Sequence, residues 1–323
     1  MQTLSRISAL AYRAAANVAT HHPLCVSFEI THNCNARCGH CHRGRVQREI
    51  RATPERFGEL YRELRPPAVQ ISGGEPLTRR DVEDIIQAIR QPTGIPFIVF
   101  VTNGALLHGD RFRRLRSIGV DQFSISLDFP DERHDAFRAI PGLFARIFRL
   151  LEDLEPAERT RVTFNTVVMS TNVRELLTLA ELALKWGVTI DFSPYTWMRT
   201  GDRTLVPQGE SLRAFEDAIE KLMELDRRHP ILTVSEAFLR DMVRFFREGG
   251  RPRCRAGDRF LVVNPDGTLS PCGLIPGHFA TQAEMMEGFT RVNACTACNT
   301  SIRASTEHPF SNLLRVGFRS VRV

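Results

Sequence analysis

The stretch T-H-N-C-N-A-R-C-G-H-C-H, residues 31–42, carries three of the eight cysteines of this chain and directly follows an apolar, β-prone run. Cys34, Cys38 and Cys41 have the spacing C-x3-C-x2-C, which places three thiols on one short loop. Three thiolates can bind three irons of a 4Fe–4S cluster and leave the fourth iron open to another molecule. Zinc is the alternative, because three histidines in the same stretch can supply a fourth ligand.

The region around this loop alternates short β-prone segments with amphipathic helical segments. The pattern predicts strands at 25–30, 68–72, 97–101, 122–127, 162–168 and 188–193. It predicts helices at 54–64, 79–90, 110–117, 143–154, 173–186 and 210–228. Six successive βα units indicate a parallel sheet with helices outside it. Because a closed barrel needs eight units, we expect an α/β fold with a partial (β/α)6 barrel.

The pattern changes after residue 230. A predicted helix at 235–247 precedes β-prone runs at 260–263 and 268–270, which flank the turn N-P-D-G and predict a hairpin. Four cysteines surround this hairpin, namely Cys254, Cys272, Cys295 and Cys298. We therefore expect an N-terminal helix at 1–24, the partial barrel at 25–230 and a small cysteine-bearing domain at 231–323.

Composition excludes several classes of protein. The 323 residues are 42% hydrophobic and 25% charged, which is typical of a globular chain, and no apolar run is long enough for a transmembrane segment. Apolar residues recur at helical spacing over residues 1–20, which favours a helix packed on the main domain over one lying on a membrane. The net charge is +6, but no basic stripe interleaved with aromatic residues indicates a nucleic-acid partner. Clustered cysteines favour metal over disulfides and a cytoplasmic location.

Polar or glycine-containing motifs stand where the predicted strands end. The second strand ends in Ser72-Gly73-Gly74-Glu75 and the third in Asn103, the fourth carries Ser126 and Asp128, and the fifth carries Asn165. The carboxyl ends of parallel strands meet at one face of a barrel, so these motifs should converge on the cysteine loop. Glycine there lets the backbone approach a ligand closely.

Taken together and in this order, the motifs of residues 25–200 resemble the radical S-adenosylmethionine (AdoMet) enzymes. The resemblance implies that Cys34, Cys38 and Cys41 hold a 4Fe–4S cluster whose open iron binds AdoMet. It implies reductive cleavage of AdoMet to a 5′-deoxyadenosyl radical, which abstracts hydrogen from the substrate. The implied AdoMet contacts are His40, Ser72, Gly73, Gly74, Glu75, Asn103, Ser126, Asp128, Arg138 and Asn165.

The second cysteine group resembles the SPASM/Twitch extensions of the same superfamily. This group has fewer cysteines than the full SPASM pattern, namely Cys254, Cys272, Cys295 and Cys298. The resemblance therefore implies a Twitch-like form with one auxiliary 4Fe–4S cluster. A zinc ribbon suits the same four thiols. Four thiolates saturate one cluster and leave no iron for substrate, which favours an electron-relay role and oxidation of the substrate.

Three further features concern the substrate. Tyr195 and Arg199 lie in the loop after the sixth strand and are candidate catalytic residues, with aromatic packing as the alternative for this loop. Arg43 and Arg45 follow the cysteine loop and are candidates to face the substrate or the solvent. Cys25 begins the first strand, far from its carboxyl end, so we interpret it as a buried core thiol and not as a hydrogen donor.

The expected function is oxidative modification of a small metabolite or natural-product intermediate by a radical AdoMet enzyme. The expected partners are that small-molecule substrate and an electron donor such as flavodoxin or ferredoxin. Modification of a peptide or protein is the first alternative, and modification of a lipid is the second. The alternative from another class is a non-catalytic iron–sulfur or zinc protein that acts as a sensor or scaffold.

Overall fold

Six parallel strands lie side by side in the order of the chain. The computed structural model describes residues 2–41, 43–45, 48–92 and 94–307. The strands are β1 (Cys25–Thr31), β2 (Ala68–Gly73), β3 (Phe97–Thr102), β4 (Gln122–Ser126), β5 (Val162–Val168) and β6 (Thr189–Pro194). Each predicted strand is present, with bounds shifted by at most one residue, and the partial-barrel prediction is confirmed.

Helices follow the strands and cover their outer face. They are α2 (Pro54–Leu64), α3 (Val82–Ile89), α4 (Gly109–Ser117), α5 (Arg133–Arg138), α6 (Leu143–Asp153), α7 (Pro156–Arg159), α8 (Leu176–Trp186) and α9 (Gly209–Arg228), whereas α1 (Gln2–Ala19) precedes β1. The start of α2 shows why the sequence locates these helices, since the Thr53 hydroxyl accepts from the Arg56 amide and Pro54 occupies the first turn. The pattern missed α5 and α7, because six and four residues are too few to show a helical period.

The strands separate an apolar outer layer from a lumen whose lining combines polar and apolar residues. Outward side chains such as Ile71 and Phe100 are fully buried against the helices. Inward positions carry polar residues, and Gln122 donates to the Thr163 hydroxyl at 2.7 Å, which in turn lies 2.7 Å from the Thr189 hydroxyl. Closed barrels fill this space with branched apolar side chains. Here the inward residues instead line a cavity of about 1650 Å³.

Helix α1 closes the amino-terminal end of this lumen. Arg6 donates to the Gly94 carbonyl and to the Asp121 carboxylate, both at 2.7 Å, and Asn17 donates to the Arg65 carbonyl at 2.9 Å. These contacts confirm the packed alternative for the N-terminal helix. Among the described residues, no helix has the length and apolar character that crossing a membrane requires.

The C-terminal segment joins the barrel through the same sheet. Its elements are α10 (Glu236–Glu248), β7 (Phe260–Val263), β8 (Leu269–Ser270), α11 (Gln282–Gly288) and α12 (Ser301–Glu307). The predicted hairpin is β7–β8, and β7 pairs in parallel with β1, so the sheet has eight strands. The predicted small domain is therefore continuous with the barrel at this edge, and its residues 308–323 lie outside the described residues.

Candidate active site

The cysteine loop lies at the carboxyl end of β1, beside the mouth of the cavity. Cys38 is buried, Cys34 and Cys41 are half-buried, and all eight cysteines of the chain are free thiols. The Ala36 amide donates to the Cys34 sulfur at 3.4 Å, and the Cys41 amide donates to the Cys38 carbonyl at 3.2 Å. Burial raises the pKa of the Cys34 thiol to about 11, and the two neighbouring thiols add to the shift. The three sulfurs thus lie within each other's electrostatic reach.

The glycines at the end of β2 hold this loop in place. Gly73 has a φ of +127°, and the Gly74 amide donates to the Thr31 carbonyl at 2.7 Å. A Cβ on Gly74 would lie 2.2 Å from the Asn33 carbonyl oxygen, which is backbone and has no room to move. Glycine is therefore required for the close approach of β2 to the residues that precede Cys34.

We expect Gly74→Ala to displace the cysteine loop and to destabilise the protein by about 1–3 kcal/mol, because the new methyl group overlaps the backbone. Urea unfolding and the iron content after reconstitution measure the two effects. Gly39→Ala is the matched control in the same loop, since no atom lies within 4 Å of the position of its Cβ. Equal stability of the two variants would contradict the close-packing argument.

Glu75 and Asn103 connect the end of β2 to the end of β3. The fully buried Glu75 carboxylate accepts from the Thr102 hydroxyl at 2.8 Å, the Asn103 amide at 2.8 Å and the Leu77 amide at 3.1 Å. The Asn103 side chain donates to Asn35 at 2.7 Å. Both side chains therefore hold the cysteine loop and the strand ends together, and neither lines the cavity.

Asp128 and Arg138 form a buried ion pair behind the loop. Arg138 donates to one Asp128 oxygen from two nitrogens at 2.8 and 2.6 Å, and a third guanidinium nitrogen lies 3.7 Å from the Cys38 sulfur. Burial alone would raise the pKa of the Asp128 carboxyl, but the guanidinium holds that pKa below its usual value. The structure thus places a positive charge against the cysteine loop.

His40 presents a flat surface to the cavity. Its ring stacks on Phe137 of α5 at a centroid distance of 5.1 Å and an angle of 3°, and its buried Nδ1 has no hydrogen-bond partner. Burial lowers the pKa of His40 to about 3, so the ring is neutral near pH 7. The sequence did not indicate Phe137, because α5 is too short for its pattern to be read.

Polar residues of five strands line the lumen below the loop. The Ser72 hydroxyl lies 2.6 Å from that of Ser27, and Ser126 of β4 is in register with Asn165 of β5. Asn165 is in turn in register with Asp191 of β6, and one side-chain oxygen of each is buried without a partner. Sequence reasoning missed Asp191, although a carboxylate within the apolar run T-I-D-F-S-P was a usable signal.

Asp191 makes stability depend on pH. Burial raises the pKa of this carboxyl from 3.8 to about 7, so it stays protonated in the folded chain while the unfolded chain ionises. The folded state therefore loses stability as the pH rises from about 4 to about 7. Asp191→Asn removes the ionisable group. We expect its free energy of unfolding, relative to that of the wild type, to increase by at most about 4 kcal/mol as the pH rises over that range. Urea unfolding of both proteins at several pH values measures this difference. A difference in the free energy of unfolding that is the same at every pH would contradict the prediction.

The loop after β6 brings its two candidate residues to different places. The Tyr195 hydroxyl lies 2.6 Å from the Thr200 hydroxyl and donates to the Asp202 carbonyl at 2.8 Å, so it is bonded within its own loop. Arg199 points to the cysteine loop, where Nη1 lies 3.5 Å from the Cys41 sulfur. Arg43 also lies near this loop, whereas the side chain of Arg45 lies outside the described residues.

A buried cation lies beside two cysteines of the second group. Cys272 and Cys298 are buried, Cys254 and Cys295 are half-buried, and burial raises the pKa of Cys272 to about 12. The fully buried Arg303 donates to the Cys298 carbonyl at 2.7 Å and acts electrostatically on the Cys254 and Cys298 thiols. A buried cation offsets the negative charge that thiolate ligands bring.

Thiols suit both candidate metals at each site. In the parts of the chain that the structure describes, no three His, Cys, Asp or Glu side chains are close enough together to hold one metal ion. Thiolate groups bind zinc and iron–sulfur clusters alike. In ligand chemistry, the three thiols of the first site and the four of the second suit an iron–sulfur cluster, and the four of the second also suit zinc.

Comparison with known proteins agrees with this arrangement. The model of the radical SAM superfamily matches residues 28–183. The AdoMet-dependent heme synthase of Methanosarcina barkeri is 29% identical over 280 residues, which cover 80% of this chain and 78% of that protein. The probable GTP 3′,8-cyclase of Methanococcus aeolicus is 26% identical over 284 residues, which cover 82% of this chain and 90% of that protein.

Solved structures show the same fold. The structure of Streptococcus suis SuiB bound to precursor peptide SuiA has a TM-score of 0.62 with this chain at 15% identity. The superposition covers 96% of this chain and 70% of SuiB, so the likeness extends beyond the barrel into the C-terminal segment.

Proposed function

The chain belongs to the radical SAM superfamily of enzymes, and from that premise we propose that it oxidises a small metabolite or natural-product intermediate inside its partial barrel. The cavity carries the proposal, because it is about 1650 Å³, is lined by polar residues such as Ser72 and Asn165 as well as by many apolar ones, and opens beside His40 and Cys41. Drug-sized ligands occupy roughly 300–1,000 Å³. The cavity therefore has room for AdoMet and a small second molecule.

Superfamily members bind a 4Fe–4S cluster and AdoMet, and in this proposal Cys34, Cys38 and Cys41 hold the cluster. When bound, the cluster and AdoMet together supply the 5′-deoxyadenosyl radical that abstracts hydrogen from substrate. Arg138 and Arg199 place positive charge beside two of the three cysteines, which offsets the charge of the thiolates.

We divide the proposed AdoMet residues into two groups by where their side chains point. His40, Ser72, Gly73 and Asn165 line the cavity, and we assign to them direct contact with AdoMet. Ser126, in register with Asn165, and Gly74, next to Gly73, belong to the same group. Glu75, Asn103, Asp128 and Arg138 bond to strand ends and to the loop. These four side chains orient the site, because their polar atoms already have partners within the protein.

We propose that Cys254, Cys272, Cys295 and Cys298 hold one auxiliary 4Fe–4S cluster. Four thiolates leave no iron for substrate, so the second site would accept or relay an electron during oxidation. Arg303 supports this role, because its buried charge lies beside two of the thiols.

A small molecule is favoured over a peptide by two observations. Helix α1 closes the far end of the lumen, so an extended chain cannot thread through it. The heme synthase and GTP cyclase relatives are named for small molecules, and each match covers about four-fifths of this chain. Near the cysteine loop the cavity is lined by Glu29, His40 and Ser72, which favours a polar substrate over a lipid.

Anaerobic reconstitution tests the proposal. With a strong reductant the enzyme should form 5′-deoxyadenosine from AdoMet, and it should hold about eight irons per chain, against about four if the second site binds zinc. Cell extract is then divided at about 1 kDa, and each fraction is added to the reaction to separate the substrate classes. Faster formation of 5′-deoxyadenosine with the low-mass fraction supports a metabolite as substrate. Faster formation with the high-mass fraction alone supports a peptide or protein. No 5′-deoxyadenosine at all would support a sensor or scaffold.

A further inference from the structure

We propose that Arg199 is a positioning residue that links the two cysteine sites and raises the reduction potential of the cluster held by Cys34, Cys38 and Cys41. The proposal rests on the proposed function, which supplies that cluster. It assigns to Arg199 an electrostatic role that differs from the catalytic role expected from the sequence.

One guanidinium contacts both sites. Arg199 ends a short 3-10 helix, Trp197–Arg199, that follows β6. Its Nη1 lies 3.5 Å from the Cys41 sulfur, while Nε and Nη2 donate to the Gly273 carbonyl at 3.2 and 2.8 Å. Gly273 directly follows Cys272 of the second group. The same side chain therefore joins the loop of the first site to the backbone of the second.

The positive charge around Arg199 exceeds the negative charge. The buried Glu29 carboxylate lies 3.5 Å from Arg199 and 2.6 Å from Arg43, and it is 2.9 Å from His32. Arg43 also donates to the Gly273 carbonyl at 3.3 Å. Two guanidinium groups thus share one carboxylate, and of the two only Arg199 is within hydrogen-bond distance of a sulfur. Its uncompensated charge is directed at Cys41.

Glycine at position 273 makes this contact possible. A Cβ there would lie 2.9 Å from Arg199 Nη2 and 3.0 Å from Glu29 Oε1, so alanine would push the guanidinium away from its place. A cationic donor on a cysteine sulfur stabilises the state with more negative charge, and hydrogen bonds to the sulfurs and net charge set the potential of such clusters. Reduction is the step that adds that negative charge.

The test is a redox titration of reconstituted holoprotein with dithionite, followed by electron paramagnetic resonance. The cluster in question is identified by the signal that changes when AdoMet is added. For Arg199→Met we expect reduction to be about tenfold less favourable, which corresponds to a midpoint about 59 mV more negative. Arg199→Lys keeps the charge and should recover part of the shift, and Gly273→Ala should shift the midpoint in the same direction. Arg203→Met is the control, because Arg203 lies in the same loop and stacks on Trp197 without an observed sulfur contact.

Each outcome decides the matter. An unchanged midpoint in Arg199→Met with full iron content overturns the proposal, and so does an equal shift in Arg203→Met. Loss of iron in Arg199→Met but not in Arg199→Lys supports the proposal, because the cluster then requires the positive charge of this side chain. Loss of iron in both variants overturns it, because Arg199 then has a purely structural role. If the wild type shows no AdoMet-dependent signal, the proposed function fails first, and the two failures are thereby distinguished.

Discussion

Replacing Cys34, Cys38 and Cys41 together by alanine is expected to reduce 5′-deoxyadenosine formation to the level of AdoMet and reductant alone. The three thiols are the only cysteines on the loop at the cavity mouth, and no neighbouring side chain replaces three thiolate ligands at once. Iron should fall by about four per chain while the second site keeps its metal. Liquid chromatography of the anaerobic reaction and metal analysis of the purified variant measure the two results.

Two cysteine variants control for this loss. Cys25→Ala removes a buried thiol at the start of β1, at the opposite end of the strand from the loop, and should leave AdoMet cleavage intact. Cys272→Ala with Cys298→Ala should remove iron from the second site and still permit AdoMet cleavage. Product formation by the triple variant at the wild-type rate would refute the assignment of the first site.

Asp128→Asn is expected to destabilise the protein by about 3–5 kcal/mol, because it leaves the buried Arg138 guanidinium without its counter-ion. Asp128 is fully buried, and the pair is joined by two hydrogen bonds of 2.8 and 2.6 Å. Urea unfolding of protein stripped of its metals, under reducing conditions, measures this cost without a contribution from metal release. The double variant with Arg138→Met should be more stable than Asp128→Asn alone, since it removes the unpaired charge.

An exposed ion pair provides the comparison. Arg174 and Glu210 are 66% and 78% exposed, so Glu210→Gln should cost at most about 1 kcal/mol. If Asp128→Asn cost no more than Glu210→Gln, burial of the pair would have to be far less complete than the structure shows.

The outline of the site was predictable because it depends on short-range patterns. Period-two and period-3.6 alternation located each barrel strand, and parallel strands bring their carboxyl ends to one face whatever their exact register. The cysteine spacing alone placed three thiols on one loop. The direction of each side chain was harder to predict from the sequence, as Glu75 shows. Its motif marked a strand end correctly, but only the position of β3 shows that its carboxylate bonds to Thr102 and the Asn103 amide.

The sequence by itself determined the partial barrel, the two thiol groups and the end of the sheet at which they meet, since neighbouring residues encode all of these. The tertiary structure alone decided that β7 pairs with β1, that His40 stacks on Phe137 and that Arg199 joins Cys41 to Gly273. Residues 41 and 199 are 158 positions apart, and 199 and 273 are 74 apart. No local period encodes such contacts, because they arise from strand register and loop packing after the chain has folded.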